Sequence, residues 1–230
     1  MGRTHLNLAT IIPVLNRPQN VGRTVWSWRE SRTPGILVFV VELDDIDELI
    51  EVHKHVNERI HMIEVVEAHT WPEKINTAIS QIAADWYLCA ADDVLFHKNW
   101  WAATKQLRDD PTIGVIGTND MGNPRVLAGE HTTHPLIRRQ YVLEQGTLDE
   151  PGQAIHEGYR HWYCDDELVI TAKMRNAWAF CREARIQHLH PYWEPDVPVD
   201  DTYRHGESAA DTDRAVFIQR MAEHIVENVA

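Results

Sequence analysis

The first half of the chain repeats one pattern, in which a short and almost wholly apolar run is followed by a segment with apolar residues three and four apart. Such runs make strands buried on both faces, and such segments make helices, so the pattern commits the chain to βα units and a largely parallel sheet. Residues 8–14 read as a first strand whose ladder pairing ends near Pro13. Pro18 suits the first turn of a helix that carries Val21, Val25 and Trp28 on one face. Residues 36–41 follow the breaker Pro34-Gly35 as a second strand, and residues 46–57 read as a helix with Ile46, Leu49, Ile50, His53 and Val56 on one side. Residues 60–66 form a third strand. Thr70-Trp71-Pro72-Glu73 then has the form of a capping box and opens a helix with Ile75, Ala78, Ile79, Ile82 and Ala83 at helical spacing.

The next strand, Trp86-Tyr87-Leu88-Cys89-Ala90-Ala91, stops at Asp92-Asp93 and is followed by Val94-Leu95-Phe96. Two adjacent carboxylates at the carboxyl end of a buried strand put negative charge at the edge where open α/β sheets hold their ligands. Burying such a pair costs roughly several kcal/mol unless a cation or dense hydrogen bonding compensates. A divalent metal does so most simply.

Beyond the pair, the pattern predicts a tryptophan-rich helix over 99–108, a short strand over 113–117 and a loop over 118–133. Residues 135–145 read as a helix, 146–158 as a mobile, turn-rich segment and 165–179 as a helix. Residues 186–190 are extended, 191–198 wrap irregularly, and a last helix over 211–228 presents Phe217, Ile218, Met221 and Ile225. A single domain is expected.

A formal charge of −13 disfavours non-specific binding to duplex nucleic acid. Cys89, Cys164 and Cys181 stand far apart without a Cys-x-x-Cys pair, which argues against a disulfide framework or a cysteine-built zinc site and fits a reducing cytoplasm. No apolar stretch approaches the roughly 18–20 residues of a membrane span. A soluble, cytoplasmic protein is the expectation.

Four pieces together resemble glycosyltransferase family 2 of the GT-A nucleotide-sugar transferases. They are Ile11-Ile12-Pro13-Val14-Leu15-Asn16-Arg17, Lys74-Ile75-Asn76-Thr77-Ala78-Ile79, Ala91-Asp92-Asp93-Val94, and the later pair Cys164-Asp165-Asp166-Glu167-Leu168 and His188-Leu189-His190-Pro191. The resemblance implies a Rossmann-like αβα sandwich with a mixed, mostly parallel sheet, in a single domain with a nucleotide-binding half over 1–117, an acceptor and catalytic half over 118–193 and a C-terminal wrap and helix over 194–230. It implies transfer of a sugar from a nucleotide-diphosphate donor, a UDP-sugar foremost, to a hydroxyl acceptor, with inversion and with Mn²⁺ or Mg²⁺. In that frame Pro13, Leu15, Asn16, Arg17, Glu42, Lys74, Asn76 and Asp92 contact the donor nucleotide, and Asp93, His188 and His190 hold the metal. Asp166, with Asp165 next and Glu167 as a third candidate, is the catalytic base. Ala91 departs from the family pattern, since its position often carries the first acid of the Asp-x-Asp region.

That departure supports an alternative, a non-catalytic nucleotide-sugar or carbohydrate-binding protein on the same scaffold. A zinc hydrolase using His131 and His134, or His161 near Cys164 and Asp165, is a third reading, although no His-Glu-x-x-His signature is present. Trp100, Trp101, Trp162 and Trp193 are candidates for stacking on sugar rings or for anchoring the core.

Overall fold

Strand β1 (Leu8–Pro13) is buried along its whole length and sits at the centre of the parallel part of the sheet. It pairs in parallel with β2 (Ile36–Glu42) on one side and β4 (Trp86–Cys89) on the other, and β2 pairs in parallel with β3 (Ile60–Val65). The computed structural model describes residues 6–229. With β5 (Val94–Phe96), β6 (Val115–Asn119), β7 (Leu136–Arg138) and β8 (Trp178–His188), the order across the sheet is β3-β2-β1-β4-β7-β6-β8-β5. The β4–β7, β6–β7 and β5–β8 ladders are antiparallel, whereas β6–β8 is parallel. The sheet is therefore mixed and mostly parallel.

Side-chain alternation along β1 divides the core between the two faces of the sheet. Leu8 and Ile12 join Val21, Val25 and Trp28 of α1 (Pro18–Glu30), while Ala9 and Ile11 join Ile75 and Ala78 of α3 (Trp71–Gln81). α3 starts where the sequence predicts, with Thr70 and Glu73 closing both bonds of the capping box.

Helix α2 (Ile46–His53) is rotated from its expected orientation: Glu48 and Val52 are buried, and Ile46 and Ile50 are exposed. Asp45 caps the helix by accepting the Glu48 N–H at 3.2 Å, and Glu48 Oε2 accepts the Arg17 N–H at 2.8 Å. That polar anchor outweighs the burial of two isoleucines.

The second half departs further from the sequence reading. Residues 135–145 divide into β7 and a short helix α7 (Arg139–Glu144), and the loop over 118–133 contains α6 (Pro124–Leu127). Helix α8 (Cys164–Met174) ends before the expected point because Asn176 takes φ 54°, a left-handed conformation that closes helices. The chain then enters β8, which is eleven residues long where only residues 186–190 were expected to be extended. The tryptophan-rich helix breaks at Thr104 into α4 (Trp100–Ala103) and α5 (Lys105–Asp109).

Residues 146–158, expected to be mobile, are fastened to the body of the protein. Arg175 donates to the Gly146 and Thr147 carbonyls at 3.0 and 2.7 Å, the Gly152 N–H reaches the Val142 carbonyl at 2.8 Å, and Ala154 and Ile155 are buried. The C-terminal wrap contains an unforeseen helix α9 (Asp201–Ser208) before α10 (Ala210–Val229). In α10, Phe217 stacks on Tyr163 while Ile218 is exposed; the Ile225 side chain lies outside the described residues. Among the described residues no helix is long and apolar enough to cross a membrane.

Burial raises the Glu48 carboxyl from its ordinary 4.5 to about 7. Between those values the folded chain binds a proton that the unfolded chain does not, so Glu48 makes stability fall as pH rises through that window. Glu48→Gln keeps an acceptor for the Arg17 N–H, and it should raise stability at pH 8 by about 1–2 kcal/mol relative to the native chain, with no difference at pH 4. Urea melts at the two pH values check this.

Candidate active site

A cleft of about 490 Å³ opens at the carboxyl edge of β1 and β4. Pro13, Leu15, Arg17, Lys74, Asp92, Asp93, Asp165, Asp166, His188 and His190 all line it. Residues far apart in sequence thus reach one cavity, but their roles in the structure differ.

The Asp92-Asp93 pair is buried, each residue 4% exposed. Arg17 Nη1 lies 3.3 Å from an oxygen of each carboxylate, and Arg17 makes a two-point fork with Asp200, with both bonds at 2.8 Å. Thr24 in α1 donates to the Asp92 carbonyl at 2.9 Å, which braces the backbone at the strand end. The Asp93 Oδ2 also accepts from the Tyr203 hydroxyl at 2.7 Å, and Oδ1 lies 3.3 Å from His188 Nε2. Burial raises the Asp92 carboxyl, reinforced by the Asp93 charge. Burial also pushes against ionised Asp93, but His188, Arg17 and Tyr203 outweigh it and hold Asp93 well below the usual carboxylate range.

His188 reaches Asp93 through strand pairing. The β5–β8 ladder sets His188 opposite Val94, and the Leu189 N–H donates to the Asp93 carbonyl at 2.8 Å. Burial opposes protonation of His188, yet Asp93 raises its affinity for a proton. The rings of His134 and His190 sit 4.8 and 4.9 Å from that of His188, and burial lowers these two imidazoles to about 3 and about 4. Both are therefore neutral at physiological pH.

The residues expected to contact a donor nucleotide divide into two groups. Lys74 is buried, donates to the Val14 carbonyl at 2.9 Å and pairs with Glu42 at 2.7 Å, so Glu42 lies just behind the cleft wall. Burial works against ionised Glu42, but Lys74 and His69 hold its carboxyl below its ordinary value. Asn76 corrects the sequence reading: its amide donates to the Ile155 carbonyl at 2.7 Å and accepts the Ala154 N–H at 3.0 Å, so it pins the 146–158 segment instead of facing the cleft. Asn16 likewise stands outside the cleft lining, in a left-handed turn with its N–H on Asp45 at 2.8 Å.

At the start of α8, Asp165 and Asp166 face the cavity. Glu167 does not, since Tyr159 and Arg220 each bond its buried carboxylate at 2.7 Å. Asp165 Oδ2 lies 3.1 Å from His131 Nε2, and Asp165 Oδ1 accepts the Asp166 N–H at 2.9 Å. Asp166 commits Oδ1 to Arg125 at 2.6 Å. Burial disfavours ionised Asp165, but His131 overrides it and lowers the carboxyl.

Two places offer ligands of the kind a hard cation takes. Around Asp93, the Oδ1 atom, Asp92 Oδ2 and His188 Nδ1 are buried without a hydrogen-bond partner. The 3.3 Å between Asp93 Oδ1 and His188 Nε2 is close to the roughly 3 Å separating two adjacent ligands with bonds of about 2.1 Å. His190 does not complete a tight triad there, since the donor atoms of Asp93, His188 and His190 do not all lie within 4.8 Å of one another, and its Nδ1 accepts the Tyr192 N–H at 3.2 Å. Among the described residues, the group whose donor atoms all lie within 4.8 Å of one another is His131, Asp165 and Asp166.

Asp200 and Tyr203 were missed in the sequence. The only local signal is that Asp200 is an N-cap, accepting the Tyr203 N–H at 3.0 Å, and a cap says nothing about which distant cation it also meets. His131 was considered only as a zinc ligand, and Arg125 not at all.

The chain matches the family described as Glycosyl transferase family 2 over residues 9–165, and it belongs to that family. A search of the curated proteins found no match. Among solved structures, the mannosyltransferase PcManGT from Pyrobaculum calidifontis, in complex with GDP-Man and Mn²⁺, superposes with a TM-score of 0.69 at 17% identity. That match covers 96% of this chain and 65% of the archaeal one, so this chain spans just under two thirds of its length. Glucosyl-3-phosphoglycerate synthase from Mycobacterium tuberculosis, with Mn²⁺, UDP-glucose and phosphoglyceric acid, gives 0.64 at 10% identity over 94% of this chain and 79% of that one. S. aureus TarS 1-349 with UDP-GlcNAc gives 0.58 at 13% identity over 87% and 64%. At these identities the likeness shows the fold, which is that of the GT-A glycosyltransferases.

Arg17 is the cation that makes the buried aspartates tolerable. Arg17→Met should destabilise the chain by about 3 kcal/mol, and adding Asp92→Asn should recover part of that loss. Chemical denaturation of the single and double variants, without added metal, measures both.

Proposed function

We propose that this chain is a glycosyltransferase that moves a sugar from a nucleotide-diphosphate donor to a hydroxyl acceptor, with inversion and with a divalent cation. The observation that carries the reading is that Arg17 and Lys74, the Asp92-Asp93-His188 group and the Asp165-Asp166 pair share one cleft at the carboxyl edge of the sheet. Family membership supports the same chemistry, as do the GDP-mannose, UDP-glucose and UDP-GlcNAc named with the structural neighbours.

Lys74 and Arg17 supply positive charge where a diphosphate is to be seated, and Arg17 Nη1, the arm that the Asp200 fork leaves out, can meet one of its oxygens. Asp93 Oδ1, buried without a hydrogen-bond partner, and His188 Nε2, 3.3 Å from it, are the atoms that would hold Mn²⁺ or Mg²⁺. The bound ion supplies charge stabilisation for the departing diphosphate. On the acceptor side Asp166 is the base, because Asp165 has committed both oxygens to His131 and the Asp166 N–H, whereas Asp166 has committed only Oδ1. Arg125 fixes the orientation of Asp166 while its second oxygen receives the acceptor's proton.

The binding-protein alternative rests on Ala91, and turnover separates the two readings. UDP- and GDP-sugars should be screened by thermal shift with and without Mn²⁺, and ligand near a hundred times its dissociation constant should raise the melting temperature by several degrees. Asp166→Asn should then lower donor hydrolysis at least about a hundredfold while leaving nucleotide affinity within a factor of three. Stabilisation without any nucleotide release by the native chain would assign a binding protein, and no stabilisation by any nucleotide sugar would remove the transferase reading.

A further inference from the structure

We infer that the C-terminal segment around α9 is a working part of the donor site, with Tyr203 a positioning residue for Asp93 and Asp200 a positioning residue for Arg17. The inference rests on the transferase reading above and adds to it residues beyond the family match, which ends at residue 165.

The segment is docked on the cleft by contacts with both halves of the chain. Thr202 donates to the Leu15 carbonyl at 3.1 Å, Trp162 donates through Nε1 to the Gly206 carbonyl at 2.9 Å, and the Tyr192 hydroxyl donates to Glu207 at 2.9 Å. Thr202, Tyr203, His205 and Gly206 form part of the cavity wall. The fit is close at Gly206, where an added Cβ would stand 3.0 Å from the His161 ring.

Within that docked segment, Tyr203 divides the labour of the Asp93 carboxylate. Its hydroxyl, held also by the Leu189 carbonyl at 3.1 Å, occupies Oδ2 at 2.7 Å and leaves Oδ1 facing His188 Nε2 at 3.3 Å. A carboxylate fixed through one oxygen presents the other in a single direction, which is how hydrogen-bonded neighbours orient a metal ligand. The ring of Tyr203 lies 3.9 Å from the Arg17 guanidinium carbon, and the Asp200 fork takes Nε and Nη2. Only Nη1 remains directed at Asp92 and Asp93. Once a cation engages Asp93, Nη1 is the arm of Arg17 released for a diphosphate oxygen.

The test uses the whole chain with Mn²⁺ alone, followed by uridine and UDP. Free Mn²⁺ is read by electron paramagnetic resonance, with Asp93→Asn as the reference for loss of binding. Tyr203→Phe keeps the ring over Arg17 and removes only the hydroxyl, so it should weaken Mn²⁺ binding about tenfold while the chain still melts in one cooperative transition a few degrees lower. Asp200→Asn should weaken UDP about tenfold by calorimetry while changing uridine less than twofold, because only the diphosphate meets Arg17. Unchanged Mn²⁺ and UDP binding in these variants, with a native chain that binds both, would overturn the inference and leave the transferase reading standing. Tighter binding in either variant would also overturn it, since the segment would then compete with the ligand. A native chain that binds neither Mn²⁺ nor UDP would overturn the reading and the inference together.

Discussion

The charge balance around Asp92 and Asp93 is the constraint to which the rest of the structure answers. Two adjacent carboxylates at 4% exposure cannot both remain ionised without positive charge inside the same shell. Arg17 supplies it from the first βα turn, and Arg17 is in turn fixed from three directions. Its backbone N–H is held by Glu48, its guanidinium by Asp200, and its face by Tyr203. The orientation of α2, the cap of α9 and the turn between β1 and α1 are therefore parts of one electrostatic arrangement. Ile46 and Ile50 stay in water because turning them inward would take Glu48 away from Arg17.

The second half solves a geometric problem that the first half leaves open. A parallel βα sheet delivers loops from its own strands to its carboxyl edge, but His188 comes from a strand entering from the far end of the chain. The long β8 achieves this by pairing in parallel with β6 and then antiparallel with β5, which follows Asp93 directly. The His188 N–H bonds the Asp120 carbonyl at 2.9 Å and the next N–H bonds the Asp93 carbonyl. Two backbone bonds from neighbouring residues leave the ring little freedom, so its 3.3 Å approach to Asp93 is a consequence of register.

What the sequence revealed and what it concealed follow the same division. β1 to β4, α1 and the capped α3 are legible because each rests on local chemistry: apolar runs, helical spacing, and a Thr-x-x-Glu box confirmed atom by atom. Lys74, Arg17, Asp92, Asp93 and His188 were found through motifs that occupy strand and helix ends. The failures are non-local. Asn76 has the right position in its helix turn but is claimed by a loop 78 residues away. The start of β8 falls where the composition of residues 165–179 predicts helix, and the stop at Asn176 depends on one backbone angle. Tyr203 and Asp200 carry no motif at all. Their meaning is set by partners 110 and 183 residues distant.

The histidines illustrate how the fold assigns unlike states to like side chains. His134, His188 and His190 stack edge to face within 5 Å of one another in sequence across the cluster, and three neighbouring imidazolium ions would repel strongly in so dry a place. Asp93 settles the matter by favouring the proton on the central ring alone. The flanking rings, buried and facing a charged neighbour, are held neutral at about 3 and about 4. Their neutrality keeps positive charge off the rings beside His188, while Arg17, Lys74 and Arg125, which also line the cleft, each lie against a carboxylate. An anionic ligand entering the cleft would meet these three cations in fixed places, each already oriented by an acid behind it.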